Sequence, residues 1–119
     1  MNTSIEVKEN ILIRRFEGDV YVDDIVGALK ELFSSFDDLT AFKGLVADFL
    51  DAEIYHKEEN LNILAEYLME NLDRLEHVKV ATVIDTPLVT TAIMLDRMFK
   101  QVQIRPFTTM AAAMRWIAL

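Results

Sequence analysis

The side chains able to do chemistry in this chain are few, and their types narrow the choice. Asp48, Asp51 and Asp85 fall within or just after two apolar runs, Gly44–Leu50 and Val80–Ile84. If both runs are strands of an open α/β sheet, Asp51 and Asp85 follow its carboxyl edge, where such sheets bind ligands. Gathered there, the three carboxylates could hold Mg²⁺ or accept a phosphoryl group. The plainer alternative is that acids at this edge cap helices and solvate loops. A phosphoacceptor also needs a cation at another strand end, and none stands out.

The remaining candidates are weaker. His56 and His77 are the only histidines. His56 sits with Glu53, Glu58 and Glu59, but the spacing matches no zinc pattern, so both are read as solvated loop residues. The chain has no cysteine, which removes disulfides, thiolate catalysis and cysteine-based metal sites. Gly18, Gly27 and Gly44 stand alone, so there is no phosphate-cradling loop and no glycine-framed nucleophile turn. Met94, Met98, Phe107 and Trp116, with Phe99, Met110 and Met114 beside them, could line a pocket for a small apolar ligand, because methionine adapts to varied shapes. Their helical spacing favours ordinary core. The sequence calls for no cofactor or metal, and an enzyme is not expected.

Charge excludes further classes. Twenty acidic residues oppose twelve basic ones, for a formal charge of −8. That argues against unaided binding to nucleic acid or anionic lipid. The first residues, MNTSIEVKEN, lack the pattern of a signal peptide. The longest uncharged stretch, Thr86–Leu95, is half the roughly twenty residues a membrane span needs. A cytoplasmic protein is expected.

The elements that would position these residues follow from periodicity. Ile5–Glu9 and Ile11–Glu17 alternate as two strands of a hairpin, with a tight turn at Glu9-Asn10 and a stop at Gly18-Asp19. Tyr21–Phe36 turns to helical spacing, with Asp23 and Asp24 in its first turn. Gly44–Leu50 reads as an interior strand; its Asp48 must face solvent, pair or sit near an open edge. Asp51–Asn60 reads as a loop or a loose helix start, and Asn60–Leu75 as a leucine-striped helix. Val80–Ile84 is a short β-branched run stopped by Pro87, so it predicts a second interior strand. Pro87 then opens a helix to Lys100. Val102–Phe107 contains Pro106, which suits an edge strand. A last helix spans Met110–Ala118.

The 119 residues thus predict one α/β domain, 1–119, ordered β-β-α-β-α-β-α-β-α. Its five-stranded mixed sheet has an N-terminal hairpin, then parallel strands, with four helices. If the strands lie in sequence order, right-handed crossovers place the helices on one face. The opposite face would then carry Arg14 or Arg15, Gln103 and Arg105, and could meet a partner.

Two segments, KVATVIDTPLVTTAIMLDRMF and IRPFTTMAAAMRWIAL, resemble the second half of SpoIIAA-like (STAS/SEC14-like) proteins of the STAS fold. There a strand of the type "kvAvv-d" precedes a helix, and a strand ending in "vF" leads into a helix with "A--WL". The matching final positions here are Phe107, Ala113, Trp116 and Ile117. The resemblance implies a small five-stranded, four-helix domain related to anti-sigma-factor antagonists and lipid-exchange folds. Such antagonists carry a phosphorylatable serine in an Asp-Ser-x-Gly type turn. The corresponding Leu50–Glu59, LDAEIYHKEE, has Asp51 but no Ser, Thr or Gly, so that residue does not carry over. The expectation is a non-catalytic regulatory module that binds a protein partner or itself. A carrier or sensor of a small apolar ligand is the alternative, and a Mg²⁺-dependent enzyme using the aspartates a third reading.

Overall fold

The computed structural model describes residues 2–55, 58–85 and 102–119. In chain order they form β1 (Asn2–Lys8), β2 (Ile11–Tyr21), α1 (Val22–Ser35), a 3₁₀ turn (Leu39–Ala41), β3 (Gly44–Tyr55), α2 (Glu58–Glu70), α3 (Leu72–Leu75), β4 (Lys79–Val83), β5 (Gln103–Phe107) and α4 (Met110–Ala118). The expected helix Pro87–Lys100 lies outside these residues, as do Met94, Met98 and His56. Among the described residues, no helix is long and apolar enough to cross a membrane.

The strands lie in sequence order, β1-β2-β3-β4-β5. β1 and β2 are antiparallel, and each later neighbour is parallel to the one before. Glu9 and Asn10 both adopt left-handed backbone, φ 54° and 63°, as a two-residue type I′ hairpin turn requires. β4, rich in β-branched residues, is interior; β5 with Pro106 is an edge, since proline cannot donate to a second ladder.

α1 and α2 bury their apolar stripes on one face, over Leu12, Leu45, Val80 and Ile104. α1 begins where Asp24 accepts the Tyr21 N–H at 2.9 Å, an acid well placed against the helix dipole. The expected single helix Asn60–Leu75 starts earlier and breaks in two. At the break the Asn71 side chain donates to the Tyr67 carbonyl at 2.9 Å. A short amide side chain competes with the helical ladder in this way.

The other face departs from expectation. It is not bare: α4 lies on it, packing Ala113, Trp116 and Ile117 against Ile11, Ile13, Val46, Ala81 and Val83. α4 follows the last strand and joins no two strands, so the crossover rule does not govern it. Gly44 is what lets α4 approach. A Cβ there would meet the Ile117 side chain and the Lys79 carbonyl, each at 2.8 Å. Arg14 lies on the α1 side, buried, with Nη2 at 3.0 Å from Glu31. Arg15, Gln103 and Arg105 fall on the α4 side, and Arg105 lies 5.2 Å over the Trp116 ring.

Candidate functional site

Both central strands run further than their sequences suggest. β2 continues past Glu17 to Tyr21, and β3 past Leu50 to Tyr55. β1 ends its pairing at Glu17 and β4 at Asp48. The last turns of β2 and β3 therefore stand as a two-stranded ribbon at the carboxyl edge. Its register pairs Glu17 with Asp51, Asp19 with Glu53 and Tyr21 with Tyr55. The two tyrosine rings stack at 5.2 Å, and both are about half exposed.

Alternation divides the ribbon into two faces. Val20, Ala52 and Ile54 turn inward, into a cluster with Phe16, Phe49, Ala28 and Ile84. Glu17, Asp19, Asp51 and Glu53 are all exposed on the other side. The outer face thus holds two cross-strand pairs of like charge, ending in two stacked phenols. The Asp19 carboxylate raises the Tyr55 pKa above the ordinary phenol value, helped by partial burial and then by Glu53.

A β-bulge sets this phase. From Arg15 to Glu17 β2 advances two positions while β3 advances three, from Asp48 to Asp51. The extra residue moves every later β3 side chain to the opposite face. Asp48 holds the bulge. Its Oδ1 accepts the Leu50 N–H at 3.0 Å, and its Oδ2 lies 3.4 Å from Arg15 Nε. Arg15 in turn pairs with Glu6 of β1.

The expected site residues therefore separate. Asp48 is buried and paired, so it positions the ribbon. Asp51 belongs to the acidic face. Asp85 is exposed beyond the end of β4. Among the described residues no three His, Asp or Glu side chains are disposed to hold a metal ion. Phe107 and Trp116 do meet, at 5.6 Å, but as part of the core beneath α4. Lys79 clamps that helix from below, donating to the Trp116 carbonyl at 3.2 Å with its ammonium 5.5 Å from the indole. His77 is an exposed turn residue with φ 68°. A separate open depression, lined by Phe33, Phe36, Asp38, Asp73 and Arg74 among others, lies at the end of α1.

Sequence reasoning does not mark Tyr21, Tyr55, Glu17 or Asp19 as site residues, and it considers Glu53 only as a neighbour of His56. A signal was present: Glu17-Gly18-Asp19-Val20-Tyr21 and Asp51-Ala52-Glu53-Ile54-Tyr55 share the pattern acid-x-acid-x-Tyr. Strict alternation in two such segments is a strand signal even when the exposed positions are acidic.

No protein-family profile matches the sequence, and no curated protein does. Solved structures match the fold. One is a protein of the DUF3478 family with a SpoIIAA-like fold from Shewanella loihica PV-4, at TM-score 0.63 and 13% identity, covering 98% of this chain and 92% of that one. Another is the anti-sigma factor antagonist SpoIIAA in its unphosphorylated form, at TM-score 0.54 and 12% identity, covering 98% of each chain. The chain has a SpoIIAA-like fold.

Proposed function

We propose that this chain is a non-catalytic protein-interaction module, of regulatory type, that engages a protein partner through the acidic face of the β2–β3 ribbon. The observation that carries the reading is the pairing of Glu17 with Asp51 and of Asp19 with Glu53, beside the stacked Tyr21 and Tyr55. Like charges directly opposite one another destabilise a strand pair. A cationic surface laid over them removes that cost, and tyrosines supply rigid contact area at interfaces. The partner therefore presents lysine or arginine. The neighbour SpoIIAA, an anti-sigma factor antagonist, lends the general idea of a module acting on another protein. The segment Leu50–Glu59 has no Ser or Thr, so binding here is not switched by phosphorylating a serine or threonine in that segment.

The test is affinity capture from the native host with wild type and the Asp19→Lys/Glu53→Lys double variant. Wild type is expected to retain a basic protein at low salt and release it near roughly 0.5 M salt, where screening is strong. The charge-reversed ribbon should not retain it. Equal retention by both proteins would remove the reading.

A further inference from the structure

β1 is an edge strand whose seven residues are all exposed. Its hydrogen-bonding sense follows from the turn. A two-residue type I′ loop closes on a hydrogen-bonded pair, here Lys8 and Ile11. Alternation then turns the backbone N–H and C=O of Asn2, Ser4, Glu6 and Lys8 toward β2. Those of Thr3, Ile5 and Val7 face away from the sheet, a row of donors and acceptors that no strand among the described residues pairs. The side chains of Ile5 and Val7 add apolar surface, 39% and 53% exposed.

We infer that a second copy of this chain occupies this edge, β1 antiparallel to β1 about a two-fold axis, with Ile5 opposite its own counterpart. This goes beyond the ribbon reading and uses a different surface. The register is selected by two independent requirements. Centring on Ile5 overlaps the whole strand and pairs every outward group: Ile5 with Ile5, Thr3 with Val7. Shifting by two residues leaves either Thr3 or Val7 without a counterpart within Asn2–Lys8. Charge agrees. Centring on Ile5 sets Glu6 against the Ser4 hydroxyl and Lys8 against the Asn2 amide. Centring on Glu6 would set two carboxylates face to face, which is destabilising. Thr3, Ile5 and Val7 of both copies then share one face. The chain's charge of −8 opposes any self-association, so salt should strengthen the dimer.

The absence of native cysteine makes the register testable with single thiols. Opposed hydrogen-bonded residues place their Cα atoms about 5.5 Å apart, within disulfide reach. Under mild oxidation Ile5→Cys should form a covalent dimer. Val7→Cys, whose counterpart is about 13 Å away along the ladder, should give at most a tenth as much. Sedimentation of wild type should show a mass rising with concentration from 13.7 kDa toward twice that value, more steeply at higher salt. Ile5→Pro removes an N–H that points away from β2, together with a part-exposed side chain; it should keep the far-ultraviolet spectrum of wild type and sediment as a monomer at all concentrations. The double variant Asp19→Lys/Glu53→Lys keeps β1 and carries less negative charge, so it should dimerise at least as strongly as wild type, which separates this proposal from the ribbon reading. A constant monomer mass for wild type, which would also follow if a strand of a different protein fills the edge, overturns the proposal. So does equal cross-linking at positions 5 and 7.

Discussion

Two aromatic pairs bridge the same two strands, and they lead different lives. Phe16 and Phe49 stack at 4.6 Å beside the bulge, both buried beneath α1. Tyr21 and Tyr55 stack at 5.2 Å near the tip, open to solvent. The geometry is nearly the same; the surroundings are not. The first pair removes its rings from water and helps hold the fold. The second leaves much of its area free for a partner. The difference teaches that a stacked pair on a sheet is a stability device or a binding device according to what covers it, not according to the stack itself.

The largest expected effect separates the two pairs directly. Phe49→Ala should cost about 3–5 kcal/mol, the range for truncating a buried phenylalanine. Tyr55→Ala should cost under about 1.5 kcal/mol, since little beyond the ring contact is lost. Urea unfolding of the two variants decides it; comparable losses would mean the tip is part of the core.

The next contrast concerns charge. Near the base, Arg14 is 7% exposed while its partner Glu31 is 64% exposed. Arg14 Nε has no hydrogen-bond partner among the described residues. Removing the exposed acid strands a buried guanidinium, so Glu31→Ala should cost about 1–3 kcal/mol. Arg14→Met should be neutral or stabilising, because it removes the desolvated charge itself. An equal cost for both variants would show that the pair contributes as a pair. Asp48→Ala, in which Arg15 keeps Glu6, belongs at the same scale, about 1–3 kcal/mol, for the Leu50 N–H left without its acceptor. It carries a second signature: with the bulge unpinned, amide exchange over residues 51–55 should quicken relative to 44–47.

What was legible in the sequence divides along the same line. β4 and β5 could be read because β-branched runs and Pro106 leave the backbone little choice. The stripe of α1 could be read because burial imposes its period. The extension of β2 and β3 could not, because Asp19 and the acids of 51–53 look like loop residues until alternation is followed through them. Nor could the bulge, which depends on one hydrogen bond from Leu50 to Asp48 that no periodicity encodes. Asp85 does lie beyond the end of β4, but Asp48 and Asp51 fall inside the longer β3, where the bulge gives Asp48 a structural task and sends Asp51 to face Glu17. The close seat of α4 on the second face needs the missing Cβ at Gly44, which leaves room for Ile117, a matter of shape rather than of pattern.

The smallest effect tests the tip most sharply, because it reads the acidic field without unfolding anything. Asp19 beside the phenol, with lesser help from burial and Glu53, holds the Tyr55 pKa above its ordinary value in the folded protein. The sign follows from linkage. The folded state keeps the phenolic proton longer than the unfolded chain does. The associated stability is fully present below the unfolded tyrosine pKa and is lost as pH rises through the higher folded value. In the ultraviolet tyrosinate titration, Asp19→Asn should therefore lower the Tyr55 midpoint, and added salt should lower it in wild type, since the field at an exposed site is screened. Tyr67 is also raised, but mainly by burial, so its midpoint should respond far less to either change. A Tyr55 midpoint insensitive to both would mean that the carboxylates do not act together at the tip. The same titration extends to binding. A cationic partner seated on the ribbon neutralises the field that Asp19 and Glu53 create. It should lower the Tyr55 midpoint as salt does, whereas a partner docked at the β1 edge should leave it where it is.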